Sequence, residues 1–205
     1  MSAKPTTIFI VDDDDAVRSS LRLLLRSVGL QAEVFASAQD FLAAHDHARA
    51  GCLVLDVRMP GMNGMEMQQA LNQRGATLPV IFITGHGDVP MAVEAMQNGA
   101  FDFLQKPFSD QDLLERVHRA LALDAERRSE LAADAAIRAR FAELTPREHE
   151  VMLLVTRGKA NKVIGAELGV SQRTVEIHRA HVMEKMKARS LAELVRMALD
   201  AGKLS

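Results

Sequence analysis

The first half of the chain alternates short apolar runs with longer amphipathic ones. Residues 8–11, 53–55, 80–84 and 101–104 are almost wholly apolar, and 31–35 form a weaker run. Runs of this kind suit strands covered on both faces, as in a parallel sheet. Between them, residues 16–28, 41–46, 64–73, 91–98 and 111–123 repeat apolar side chains at helical spacing. Strand–helix alternation predicts a doubly wound, flavodoxin-like α/β fold with five parallel strands and right-handed crossovers. Ser37 and Ser109 each offer a capping oxygen three residues before an acid, Asp40 and Asp112.

The pattern then changes twice. Residues 122–144 are dominated by Ala, Glu, Arg, Asp and Leu without Gly or Pro, a strong helix former that lacks a broad apolar face. Leu131 stands alone among alanines and charges, so no coiled-coil heptad is set up. Beyond it, helices are predicted at 146–157, 160–168, 172–187 and 191–201. Thr145, Pro146 and Glu148 supply a cap, a first-turn proline and a capping-box acid, and Ser190 with Glu193 repeats the cap. The expected organisation is an α/β domain at 6–122, a helical linker at 123–140 and an all-α four-helix domain at 141–205.

Within the last domain, residues 161–180 fit a helix-turn-helix. Ile164, Leu168, Val170 and Val175 take the packed positions, Gly165 the crossing, Gly169 the turn and Ser171 the second cap. On a helical wheel Val182 and Met186 fall within about 20° of Val175, a core stripe that leaves Arg173, Ile177, Ala180 and Glu184 on the outer face.

Composition narrows the picture. Of 205 residues 48% are apolar, enough for ordinary cores, although there is no Trp or Tyr. The single cysteine, Cys52, cannot close an intramolecular disulfide, and its apolar surroundings mark it as a buried small hydrophobe. The start of the chain is polar rather than signal-like. Its longest apolar run is far shorter than the roughly 20 residues that span a bilayer, so a soluble cytoplasmic protein with no membrane partner is expected. The net charge of −2 hides an asymmetry: residues 1–125 carry 10 basic against 16 acidic residues, and residues 144–205 carry 11 against 7. An acidic half joined to a basic half suggests two tasks, the basic one suited to nucleic acid.

Candidate chemistry collects at predicted strand ends. Asp12 and Asp13 follow the first strand, Asp56 ends the third, Thr84 the fourth and Lys106 the fifth. Ligands of open parallel sheets bind beyond these carboxyl ends. Three close carboxylates call for a cation, and an all-oxygen set with positions left for water and phosphate suits Mg²⁺. A carboxylate can act as nucleophile toward phosphorus, with a metal and Lys106 to offset the charge. Asp14 and Asp15 read as helix-start residues rather than ligands.

Val11, Asp12 and Asp13, the segment from Leu55 and Asp56 through Arg58 and Pro60 to Gly61, Thr84 with Gly85, and Lys106 with Pro107 and Phe108 together resemble the receiver domain of two-component response regulators. The resemblance covers about residues 6–122, with order and spacing intact. It implies that Asp56 accepts a phosphoryl group from a sensor histidine kinase. It further implies that Asp13, Asp56 and the backbone carbonyl of Arg58 bind Mg²⁺, with Asp12 helping through water. Thr84 would bond one phosphoryl oxygen and Lys106 another, across a Lys106–Pro107 bond expected to be cis. Phe103 matches an aromatic switch position coupled to Thr84. Arg58 and His86 flank the site at the two variable positions that influence phosphate lifetime. A phosphatase with a second acid two residues after the nucleophile is disfavoured, because that place holds Arg58; the site is expected to catalyse only its own phosphorylation and dephosphorylation.

Leu144 to Glu148, Asn161 with Lys162, Thr174 to His178 and Lys185 to Lys187 resemble the LuxR-type DNA-binding domain. The pairing with a receiver resembles the FixJ/NarL branch. Such a protein is a phosphorylation-dependent transcriptional regulator, an activator, that dimerises through the helix 91–98 surface and binds promoter DNA beside RNA polymerase. Expected contacts are Arg173, Thr174, Glu176, Ile177 and Ala180 near base edges, with Lys162 and Lys185 on phosphates; Arg173 or Arg179 suits guanine and Glu176 cytosine. Glu176 departs from the basic residue several LuxR-type domains carry there. His178 and His181 lie three apart, but no other zinc ligand is near, which favours packing. An RNA- or protein-binding output is the remaining alternative.

Overall fold

The computed structural model describes residues 6–46, 48–85 and 89–202. The chain divides into two compact units, Met1–Arg128 and Ser129–Ser205.

The first unit is a five-stranded parallel sheet in the order β2-β1-β3-β4-β5, with β1 Thr7–Val11, β2 Gln31–Phe35, β3 Gly51–Asp56, β4 Val80–Thr84 and β5 Asp102–Gln105. The helices between them are α1 Asp15–Ser27, α2 Ala38–Ala44, α3 Gly64–Gln73 and α4 Val89–Gln97. The period of two along the central strands sorts their side chains into two cores. Phe9, Val11, Leu53, Leu55 and Phe82 pack with Phe41, Met67 and Leu71 of α2 and α3. Ile8, Ile10, Cys52, Val54, Ile81 and Ile83 pack with Leu21 and Leu25 of α1 and with Leu113 and Val117 of the last helix, α5 Asp110–Ala142. This is the predicted doubly wound fold, with the strand order reversing beside β1 so that a crevice opens at its carboxyl end.

Differences from the predicted elements are local. α2 begins at Ala38 rather than at 41, because Ser37 accepts from Asp40 N at 3.1 Å and so starts the helix where its cap stands. β5 is displaced by one residue toward Gln105. Asp14 is the N-cap of α1, accepting from Ala16 N at 2.8 Å, and Asp15 pairs with Arg18 at 3.0 Å.

One uninterrupted helix, α5, runs through the stretch expected as a linker. Part of that stretch is bound to the sheet. Asp124 is only 2% exposed; its carboxylate accepts from Gly51 N at 2.8 Å and from Arg128 Nε at 2.9 Å. Arg128 donates onward to the carbonyls of Ala48 and Arg49. No local sequence signal distinguishes this acid from the solvated ones around it, since its partner amide lies 73 residues away.

The second unit holds the end of α5 and four helices: α6 Pro146–Thr156, α7 Asn161–Leu168, α8 Gln172–Met186 and α9 Leu191–Asp200. Phe141 packs with Met152, Val182, Met186, Leu194 and Met197, while Val151, Val155, Ile164 and Val175 form a smaller core. The crossing of α7 and α8 needs two glycines, one inside α7 and one at its end. Gly169 closes α7 in the left-handed conformation, φ 68°, and a Cβ on Gly165 would stand 2.8 Å from Val170 O. Among the described residues no helix is long and apolar enough to cross a membrane.

Candidate functional site

The strand ends bring three of the expected residues into direct contact. Lys106 Nζ donates to Asp12 Oδ2 and to Asp56 Oδ1, each at 2.9 Å. Asp12 and Asp56 are 1% and 6% exposed. Their remaining oxygens accept from Asp14 N at 2.9 Å and Arg58 N at 2.7 Å. The Lys106–Pro107 bond is cis, and Lys106 N donates to Thr84 O at 2.8 Å, which ties the ends of β4 and β5 together.

Two carboxylates, both nearly sealed from solvent, face one ammonium at the sheet edge. Burial pushes the Asp56 carboxyl above its usual range, opposed by the hydrogen bond and charge of Lys106. Burial acts on Lys106 in the other direction, but the bonds from Asp12 and Asp56 outweigh it and hold the ammonium above its ordinary value. Two carboxylates share one ammonium, so their ionised forms leave one negative charge unmatched, the condition that favours a hard cation, and every candidate ligand atom is oxygen. Asp13 is exposed on the loop after β1. Among the described residues no three acidic, His or Cys side chains are gathered closely enough to hold a metal. The structure thus brings together Asp12, Asp56 and Lys106, and leaves Asp13 outside their contact. The carboxylate oxygens of Asp12 and Asp56 fit a hard cation such as Mg²⁺.

Asp56 is positioned from below by a glycine. Gly64 N donates to Val57 O at 2.9 Å, and a Cβ on Gly64 would lie 2.4 Å from Asp56 O. Only a residue without a side chain lets α3 start so close to the end of β3. Thr84 is buried at the end of β4, and Phe103 of β5 is half-buried against the α2/α3 core. Arg58 is exposed; His86 lies outside the described residues. Cys52 sits in the opposite core, where burial pushes its thiol up to about 12, so it is unreactive near neutrality.

The outer face of α8 is the second candidate. Arg173, Glu176, Ile177 and Ala180 are exposed there, and Lys162 is exposed on α7. Others in the expected set are engaged. Thr174 Oγ1 lies 2.8 Å from Ser171 Oγ within the cap of α8. Arg179, named as a possible guanine reader, donates instead to Asn161 Oδ1 at 2.7 Å and is half-buried beside Val151 and Val155. Lys185, expected on a phosphate, donates to Glu148 Oε2 at 2.6 Å and to Glu143 O at 3.2 Å. Glu148 is 4% exposed, its Oε2 also accepting from Thr145 N at 2.8 Å. The Lys185 bond, with help from Thr145, holds its carboxyl down at about 2. The capping-box role of Glu148 was legible; its burial and its tie to Lys185, 37 residues away, were not. His181 is exposed with its Nδ1 3.6 Å from Glu148 Oε1, and the buried Nδ1 of His178 has no hydrogen-bond partner among the described protein atoms.

Comparison with known proteins agrees with this geometry. Residues 8–118 match the response regulator receiver domain family, and residues 142–198 match the bacterial regulatory proteins of the luxR family. The chain therefore belongs to the response regulators that carry a LuxR-type DNA-binding output, and is a two-component transcriptional regulator. Within that class it is FixJ-like. It is 51% identical to the transcriptional regulatory protein FixJ of Azorhizobium caulinodans over 95% of this chain and 92% of that one. Nodulation protein W of Bradyrhizobium diazoefficiens is 49% identical over 95% of this chain and 86% of that one. The solved structure of the response regulator StyR superposes with a TM-score of 0.90 at 46% identity, covering 96% of this chain and 99% of StyR. A receiver implies a histidine kinase as partner, and the LuxR-type domain implies binding to DNA.

Proposed function

We propose that Asp56 is the phosphoacceptor and that its phosphorylation switches DNA binding by the C-terminal unit. The observation that carries this reading is Lys106 held between Asp12 and Asp56 at the sheet edge. An oxygen of Asp56 attacks the phosphorus of the kinase's phosphohistidine; an O–P bond forms as the N–P bond breaks, and its electron pair stays on the donor imidazole. Lys106 then pairs with one phosphoryl oxygen, and the Thr84 hydroxyl donates to another. Asp13, Asp56 and the Arg58 carbonyl would hold Mg²⁺, with Asp12 acting through water. When bound, that ion offsets charge on the transferring group.

The phosphoryl group adds about −1.5 to −2 charge. Movement of Thr84 toward it draws Phe103 inward and changes the neighbouring α4 surface. Val93 and Met96, both about half exposed on α4, offer apolar area for a second receiver, and Asp102, paired with Arg116 at 3.2 Å, offers polar contacts beside them. Paired receivers bring two α8 helices to neighbouring half-sites. Arg173, Glu176, Ile177 and Ala180 face the bases and Lys162 lies toward phosphates, whereas Thr174 and Lys185, engaged within the domain, are left out of the contact set. In this layout residues 6–122 receive, 123–140 link and 141–205 bind DNA, and contact with RNA polymerase activates transcription.

The test uses wild type and Asp56→Ala with acetyl phosphate and Mg²⁺. Mass spectrometry should find one phosphoryl group on the wild type alone. That form should dimerise and footprint DNA at lower concentration. Equal responses of the two proteins would overturn the switch.

A further inference from the structure

We infer that Arg18 is a positioning residue of the receiver site: from α1 it grips the carbonyl of Asp12 and so sets where Asp13 stands for the cation. The inference rests on the reading that Asp13 and Asp56 hold Mg²⁺.

Every polar atom of Asp12 is engaged, each by a different residue. Its N donates to Phe35 O of β2 at 3.3 Å. Its Oδ1 accepts from Asp14 N at 2.9 Å, and its Oδ2 from Lys106 Nζ at 2.9 Å. Its carbonyl oxygen accepts from Arg18 Nη1 at 2.7 Å. Asp13 comes next and is exposed, so its place is decided by the backbone that leads to it. The Asp12 carbonyl and the Asp13 amide belong to one planar peptide unit, which carries the Asp13 Cα with it. A donor that fixes the carbonyl fixes that plane, and Arg18 is the donor.

Fold stability gives little reason for an arginine here. Arg18 stands in the first turn of α1, where the helix dipole favours an acid over a base. Its side chain is only 13% exposed, whereas Asp15, which accepts from its Nη2 at 3.0 Å, is 87% exposed. An ion pair with so solvated a partner contributes little. What the planar fork of a guanidinium adds is reach to two acceptors at once. Asp15 steadies one prong, and the other is aimed at the main chain beside the acidic cluster.

Charge and geometry act here in opposite senses. As a positive group next to the cluster, Arg18 repels a second cation. As a clamp on the peptide between Asp12 and Asp13, it holds a ligand ready. The sign of the change on substitution separates the two.

The test titrates Mg²⁺ into the full-length protein without phosphodonor, following amide NMR signals of the loop after β1. Arg18→Met should weaken binding about tenfold, as removal of a group that orients a metal ligand does. Arg18→Lys keeps a donor for the carbonyl but cannot span both acceptors, and should recover part of the loss. With acetyl phosphate, the Mg²⁺ concentration for half-maximal labelling of Arg18→Met should rise by the same factor. Its labelling rate at saturating Mg²⁺ should match wild type, a split that mere loss of stability would not produce. Unchanged or tighter Mg²⁺ binding by Arg18→Met, with weaker binding by Asp13→Asn, overturns the inference and leaves the site as read. If Asp13→Asn binds Mg²⁺ as wild type does, the reading of Asp13 as a ligand falls, and the inference with it. Should Arg18→Met not fold, Arg18→Lys carries the comparison, and Mg²⁺ binding equal to wild type counts against the inference.

Discussion

Each unit of this regulator places a lysine against a buried carboxylate, and the two arrangements behave in opposite ways. At the receiver edge Lys106 is shared between Asp12 and Asp56 at 2.9 Å each, and the Asp56 carboxyl is pushed up. In the C-terminal unit Lys185 serves Glu148 alone among carboxylates, at 2.6 Å, and the Glu148 carboxyl is pulled down to about 2. The chemical pair is the same; the ratio of cation to carboxylate differs. Glu148 has its charge matched and closes a capping box with Thr145, so its node has nothing left to bind. Asp12 and Asp56 outnumber their cation, which leaves the receiver edge ready for further positive charge and for a phosphoryl group that brings its own hydrogen-bond acceptors. A complete buried network stabilises a fold, whereas an incomplete one at a strand end is a site.

The largest effects should separate the two lysines. Lys185→Met strands Glu148 in the core without its cation, and should cost the C-terminal unit about 2–4 kcal/mol in urea unfolding. Lys106→Met strands Asp12 and Asp56 and should lower receiver stability by about 1–3 kcal/mol, but its distinguishing effect is to abolish labelling by acetyl phosphate. Lys185→Met should leave that labelling intact, and lost labelling in the Lys185 variant would erase the distinction between a structural and a functional node.

A pH titration sharpens it. The folded Glu148 carboxyl lies below its ordinary value of 4.5, at about 2, so its contribution is fully present above pH about 4.5. It is lost as pH falls toward 2. The shift corresponds to roughly 3 kcal/mol across that window. Stability of the C-terminal unit, followed by amide signals of α6 and α8, should fall there, and Glu148→Gln should flatten the fall. An unchanged slope in that variant would remove Glu148 from the account.

Gly64→Ala probes how the receiver node is held. Its Cβ would meet Asp56 O at 2.4 Å, so β3 and α3 must separate, at about 1–3 kcal/mol. Phosphorylation should slow by more than the stability loss explains, because Asp56 itself is displaced. The smallest effect concerns a buried side-chain amide that no described protein group meets. Gln68 on α3 is buried, and neither of its amide atoms has a hydrogen-bond partner. Gln68→Met should raise the urea midpoint by about 1 kcal/mol in stability, without altering phosphorylation.

Much of the candidate site could be read from residue order. Asp12, Asp56, Thr84 and Lys106 each follow an apolar run, and parallel strands deliver their carboxyl ends to one edge. The fold class followed from the same alternation. Elsewhere, residue type left the partners undefined. Lys185, expected to reach outward, turns inward to Glu148, and Arg179 turns back to Asn161. Asp124, within a stretch that reads as a solvated linker helix, is sealed against Gly51 N. A charged residue on a helix carries no local mark of the partner it will meet across the fold.

Local order therefore determined the elements, their caps, the parallel sheet and the residues gathered at its edge. Periodicity and turn chemistry act over a few residues, and the chirality of crossovers carries them into a topology. Only the tertiary structure decided how many cations each buried carboxylate has. That number depends on pairs 37 to 94 residues apart, and on burial, which makes a missing charge costly enough to matter. On this count Lys106 became part of a site and Lys185 part of a core.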